Sequence, residues 1–152
     1  MSAETQMGQL VFVDTNILVY AYDRSAGQKQ FLAAQLVKEC WENGNGCLSI
    51  QVLQEFYVNV TRKIAMPLDL QTSQQIVADL AHWHVHTPEA TDLLQAIDFQ
   101  QNYQLSFWDA MIVQSATRMA CTRLISEDLN HGQSYGDVQV NNPFIHRTRE
   151  DF

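Results

Sequence analysis

The chain is expected to fold as an α/β domain around a parallel sheet, and three observations carry that expectation. Short apolar runs rich in β-branched residues, led by Leu10–Val13, Cys47–Ile50 and Arg123–Ser126, have the length and composition of buried strands. Longer stretches of helical period separate them, the alternation that places helices on both faces of a parallel sheet. No internal repeat, low-complexity tract or Pro/Gly-rich linker divides the 152 residues, so positions 1–152 read as a single domain with its core over about 10–140.

The elements follow in order. Leu10-Val11-Phe12-Val13 is an unbroken apolar strand ending in Asp14. Gln28 to Asn43 is a helix whose stripe draws on Phe31, Ala34, Gln35, Leu36, Val37 and Cys40, stopped by Asn43-Gly44-Asn45-Gly46. Cys47 to Ile50 is a second strand. Val52 to Ala65 is a helix with Val52, Leu53, Phe56, Val60 and Ile64 on one side, ended by Met66-Pro67. Thr72 to Trp83 is a helix with Thr72 or Ser73 as its N-cap. His84-Val85-His86 is a weak strand, Glu89 to Tyr103 an amphipathic helix, and Ser106 caps a helix running to about Ala120. Arg123 to Ser126 is a strand, and Val138-Gln139-Val140 a last short edge strand. The central sheet therefore has four to five strands.

Composition narrows the class. With 46% hydrophobic and 17% charged residues, the chain is globular and neither fibrous nor disordered. No apolar run approaches the roughly 20 residues of a membrane-spanning helix, and Met1 to Gln9 has no basic-then-apolar leader. Cys40, Cys47 and Cys121 are odd in number and scattered, as free thiols of a reducing compartment are. The expected location is the cytoplasm. Asn59-Val60-Thr61 matches a glycosylation sequon, but without a secretion signal the match is empty. The formal net charge of −8 opposes binding nucleic acid by charge alone. A divalent cation held in an acidic pocket reverses that argument locally.

Open parallel α/β sheets bind ligands outside the carboxyl ends of their strands. Asp14 ends the first strand and Asp128 stands just past the Arg123–Ser126 strand, so two acids from distant parts of the chain share that edge. Each also suits a cap or turn, Asp14-Thr15-Asn16 at the start of a helix and Ser126-Glu127-Asp128 in a turn. Asp109 lies in Phe107-Trp108-Asp109-Ala110-Met111-Ile112-Val113, a helix apolar nearly all round. A carboxylate buried there needs a partner, a cap role or a metal. Ser106 and Asp109 have capping-box spacing, the competing explanation. Glu55 shares a flank of its helix with Asn59 and Arg62 and is weak evidence alone. Hard divalent cations such as Mg²⁺ and Mn²⁺ prefer oxygen ligands, and a carboxylate cluster suits holding them against a phosphodiester.

The ordered set Val13-Asp14-Thr15-Asn16, Gln54-Glu55-Phe56, Trp108-Asp109-Ala110 and Ser126-Glu127-Asp128-Leu129 resembles the PIN-domain ribonucleases, most closely the VapC-like toxins of toxin–antitoxin pairs. The likeness runs from Leu10 to about Val140. It implies a three-layer α/β/α fold and Mg²⁺- or Mn²⁺-dependent endonuclease action on RNA. It implies Asp14, Glu55 and Asp109 as the main metal-binding acids, with Asp128 as a more variable fourth and Glu127 its rival. Asn16 and Ser126 match supporting polar positions. The resemblance further implies a homodimer held inactive by a small antitoxin whose tail enters the active-site groove.

Other residues carry less. His82, His84 and His86 alternate but sit away from the acids, and His131 and His146 are isolated, so they read as surface or core histidines. Trp41, Trp83 and Trp108 read as core or interface packing. Among Lys29, Lys38, Arg62, Lys63, Arg118 and Arg123, phosphate contact is expected first of Arg62 and Lys63, which share the Glu55 helix. Two other functions remain open: a binding module of the same fold with weak or no catalysis, consistent with the few cations, and a hydrolase of small phosphate esters.

Overall fold

The computed structural model describes residues 9–145. Among them the elements are β1 (Val11–Val13), α1 (Thr15–Tyr22), α2 (Gln28–Asn43), β2 (Gly46–Ser49), α3 (Ile50–Arg62), α4 (Leu70–Leu80), β3 (His84–His86), α5 (Ala90–Tyr103), α6 (Phe107–Arg118), β4 (Arg123–Ile125), β5 (Ser134–Tyr135) and β6 (Val138–Asn141). They form one sheet in the order β3-β2-β1-β4-β6-β5. Five strands run parallel, as the sequence predicted. A sixth, β5, pairs antiparallel with β6. Val138–Val140 is therefore an inner strand. The two-residue β5 is the edge, too short to carry an alternation legible in the sequence.

The helices fall into two groups. α1 packs on α2 and α3, and α3 on α4, whereas α5 packs on α6. With the sheet between them this is the expected three-layer α/β/α arrangement. β1 lies at the centre, and all three of its residues are buried. Phe12 pairs with Cys47 on one side and Leu124 on the other. The β1 and β4 ladder extends one step, since the Asp14 amide donates to the Ile125 carbonyl at 2.9 Å. Asp14 and Ser126 thus leave neighbouring parallel strands at the same carboxyl edge.

Several local expectations change. α4 begins at Leu70 with Asp69 as its cap, the carboxylate accepting from the Thr72 amide at 2.7 Å. Leu70 is 64% exposed, so the helix starts before its apolar stripe does. On α2 the buried face is Ala33, Val37 and Cys40, while Phe31 and Ala34 face solvent. α6 is buried continuously from Ala110 to Ala116. Its first turn, Phe107 to Asp109, emerges at the sheet edge. Trp108 is therefore exposed and not core, and Asp109 is only partly buried.

Gly46 opens β2 directly against the buried Trp83 ring, where an added Cβ would lie 2.4 Å from Trp83 Cε3. Overpacking of that kind destabilises, so Gly46→Ala should lower unfolding stability by about 1–3 kcal/mol in urea titrations. An unchanged midpoint would show that the Trp83 ring yields without cost.

Candidate functional site

A cleft of about 320 Å³ opens at the carboxyl edge of the sheet, and Asp14, Glu55, Asp109 and Asp128 all line it. They arrive from four elements: the end of β1, the middle of α3, the first turn of α6 and the turn after β4. The four acids singled out by sequence are thus brought to one place. Asn16 lines the cleft beside them, and Ser126 lies beneath, fully buried.

Asp14 is the fixed point. It is 5% exposed and caps α1, with Oδ1 accepting from the Thr15 amide at 2.7 Å. Oδ2 accepts from the Ser126 hydroxyl at 2.7 Å and more distantly from Asn16 Nδ2 at 3.4 Å. Burial nevertheless outweighs these bonds, and with repulsion from Asp128 and Asp109 it pushes the carboxyl up to about 6. The capping role expected of Asp14 is present, and the same carboxylate lines the cleft.

Asn16 ties Asp14 to the far turn. Its Nδ2 donates to Asp128 Oδ2 at 3.0 Å and its Oδ1 accepts from the Glu127 amide at 3.2 Å. The Asp128 amide in turn donates to Ser126 Oγ at 3.2 Å. The turn's two acids part company. Glu127 accepts from the Tyr20 hydroxyl at 2.7 Å and pairs with the Lys29 ammonium. Lys29 also lies over the Tyr20 and Phe144 rings, 5.0 and 5.3 Å from their centroids. Burial raises the Glu127 carboxyl, but the bonds from Lys29 and Tyr20 outweigh it and hold the group below its ordinary range. Glu127 is neutralised away from the cleft, whereas the exposed Asp128 faces it.

Glu55 is held by its own helix. Gln51, one turn earlier, donates from Nε2 to Glu55 Oε1 at 3.0 Å and to the Trp108 carbonyl at 3.3 Å. The Thr15 hydroxyl reaches the same Oε1 at 3.4 Å. Asn59, one turn later, donates to the Glu55 carbonyl at 2.7 Å and lines the cleft, while Arg62 does not. Asp109 has its amide capped by Ser106 Oγ at 3.2 Å, as the capping-box spacing suggested. Burial raises its carboxyl, the Ser106 bond opposes this, and Asp128 adds repulsion. Gln51, Thr15, Tyr20 and Trp108 are cleft residues that sequence reasoning did not assign. Gln51 alone had a local signal, its i,i+4 spacing from Glu55.

The donor set fits a hard divalent cation. Four carboxylates line the cleft, and among the described residues neither Lys nor Arg lines it or pairs with the buried Asp14. Among the described residues no three carboxylate, imidazole or thiol groups gather closely enough to ligate one ion. Mg²⁺ does not require such a cage, since it uses one or two carboxylates and fills its shell with water and phosphate oxygens. The histidines stay apart. His86 is buried between Ser115 Oγ (2.8 Å) and Asp92 Oδ2 (3.2 Å), and His84 meets the Gly44 carbonyl. His131 accepts from the Asn142 amide, and His146 lies outside the described residues.

Comparison with known proteins agrees with this architecture. Residues 11–134 match the family model for the PIN domain. Among solved structures, the chain is similar to a toxin–antitoxin complex from Klebsiella pneumoniae, with a TM-score of 0.66 and 19% identity over 88% of this chain and 98% of that one. It is also similar to VapC20 of Mycobacterium tuberculosis, described as a sarcin-ricin loop cleaving toxin. That TM-score is 0.56, with 16% identity over 75% of this chain and 86% of that one. At these identities the likeness is one of fold. No curated protein matches the chain in sequence.

The raised carboxyl of Asp14 makes stability depend on pH. In the unfolded chain the group loses its proton near 3.8, in the folded protein near 6. Between those values the unfolded state binds fewer protons, so stability falls as pH rises through the window, by about 3 kcal/mol at its upper end. Metal-free Asp14→Asn should therefore be more stable than the unsubstituted protein at pH 8, with the difference closing below pH ~4. Urea unfolding at the two pH values checks this. A variant that is less stable at pH 8 would contradict an uncompensated buried charge.

Proposed function

This chain belongs to the PIN-domain family, and we propose that it is a Mg²⁺- or Mn²⁺-dependent endoribonuclease, the toxin of a toxin–antitoxin pair. The observation that carries the reading is the meeting of Asp14, Glu55, Asp109 and Asp128 in one cleft with no cationic side chain among the described residues that line it. The two similar structures, one a toxin–antitoxin complex and one an RNA-cleaving toxin, support the same reading.

A divalent cation bound there would supply an activated water and charge stabilisation at the phosphate. Asp14 and one of the other three acids would hold it directly, with the remaining carboxylates reaching it through water. The protein's own part is orientation. The Thr15 amide and Ser126 hydroxyl fix one Asp14 oxygen each, leaving the carboxylate a single pose. Asn16 keeps Asp128 facing Asp14 across the gap between β1 and β4. Gln51 joins Glu55 to the start of α6, so the α3 and α6 acids move together. Hydrolysis adds water across the phosphodiester and breaks the P–O3′ bond, leaving a 5′-phosphate and a 3′-hydroxyl.

The partners in this reading are RNA, a small antitoxin protein and a second copy of the chain, in the cytoplasm. Exposed apolar residues on α3 (Ile50, Tyr57, Val58) and α5 (Leu93, Leu94, Ile97) offer surface for protein contacts. Among the described residues no helix is long and apolar enough to cross a membrane. A second reading, a binding module of the same fold, draws on the net charge of −8 and the cation-free cleft.

Incubation with RNA and Mn²⁺ separates the two. The nuclease reading expects metal-dependent cutting with 5′-phosphate ends. Cyclic 2′,3′-phosphate ends, or cutting in the presence of chelator, would contradict it. Asp14→Asn and Asp109→Asn should each abolish cutting while the protein stays folded. Ser126→Ala, which removes only the hydroxyl that holds Asp14, should lower the rate roughly 10- to 100-fold. Full activity in both Asp variants would remove the mechanism.

A further inference from the structure

Trp108 borders the acid cleft with 62% of its surface exposed. It is the second residue of α6, immediately before Asp109, and its backbone is held in place. The Gln51 amide donates to its carbonyl at 3.3 Å, and the neighbouring Asp109 amide is capped by Ser106. The indole meets the Phe107 ring edge-on at 4.9 Å between centroids. The result is a braced aromatic surface, open to solvent, beside the acids.

Among the described residues no Lys or Arg lines the cleft, so phosphate neutralisation, which dominates most such affinity, has no side chain there to supply it. Lys29, which lies over the ring of the cleft residue Tyr20, is engaged with Glu127. Stacking is the remaining strong, sequence-tolerant contact, since every base has a π face. It also selects unpaired nucleotides, because a base inside a duplex has both faces covered.

We propose that Trp108 is a substrate-binding platform on which a base next to the scissile phosphate of single-stranded RNA stacks. The inference rests on the nuclease reading and extends it to how so acidic a protein holds its substrate. The amides of Gln51 and Asn59, which also line the cleft, supply polar contacts beside the stacked base.

The test uses a fluorescently labelled, unpaired oligoribonucleotide, with binding read by anisotropy in Ca²⁺ and cutting read separately in Mn²⁺. Trp108→Ala should weaken binding roughly tenfold or more, while Trp108→Phe stays within about threefold of the unsubstituted protein. An abasic position at the stacked nucleotide should weaken binding to the unsubstituted protein and add nothing to Trp108→Ala. Equal binding by Trp108→Ala, with cutting intact, overturns the platform and leaves the nuclease reading standing. Unchanged RNA binding with a lost dimer in sedimentation assigns the indole to a protein interface and likewise overturns it. If the unsubstituted protein neither binds nor cuts RNA, both readings fall. If it binds without cutting, the nuclease reading falls, and the Trp108→Ala comparison then decides whether the indole is a platform for bound RNA alone.

Discussion

A carboxylate buried at the end of the central strand is the constraint around which the rest of the site is arranged. Asp14 must be where it is because β1 carries it there between β2 and β4. Once there, it is cut off from water, and its charge is costly unless donors or a cation answer it. The chain supplies donors from three directions: the α1 backbone, Ser126 at the end of β4, and the Asn16 amide. Among the described residues no cationic side chain joins them. Two further acids, Asp109 and Asp128, are close enough to make matters worse. On the proposed reading, a divalent cation from solution answers that charge.

The turn after β4 shows how that arrangement is kept without collapsing it. Two adjacent acids, Glu127 and Asp128, would repel each other and Asp14 if both faced the cleft. Lys29 from α2 and Tyr20 from α1 draw Glu127 aside, and Asn16 takes the Glu127 amide and the Asp128 carboxylate together. The two helices that follow β1 therefore determine which acid of the pair is presented. The ion pair with Lys29 is partly exposed, so its value is in orientation more than in stability.

How far the sequence disclosed this depends on the range of the signal. Strand ends were legible, since Leu10–Val13 is an unbroken apolar run that stops at Asp14 and Leu124-Ile125 stops at Ser126, and so Asp14 and Asp128 could be placed at one edge. The order of the acid motifs pointed to the family that the comparison then showed. Helix α3 was legible because Val52, Leu53, Phe56 and Val60 keep a clean period, and all are buried. Asp109 was placed correctly, but its burial was overstated. The apolar period of α6 extends through its first turn, whereas the packing begins only at Ala110. The choice between Glu127 and Asp128 was not legible at all, because it is made by Lys29 and Tyr20, about a hundred residues away in the chain. The same holds for β5, whose two residues pair only because β6 returns beside them.

On the proposed reading, a divalent cation completes the charge balance among Asp14, Glu55, Asp109 and Asp128. Anomalous diffraction from crystals of the unsubstituted protein grown with Mn²⁺ addresses it most directly, because it locates the ion without reference to activity. A strong manganese peak is expected within the cleft, in contact with the Asp14 carboxylate and at least one of the other three acids. An empty cleft at saturating Mn²⁺, or manganese bound only elsewhere on the surface, would contradict it.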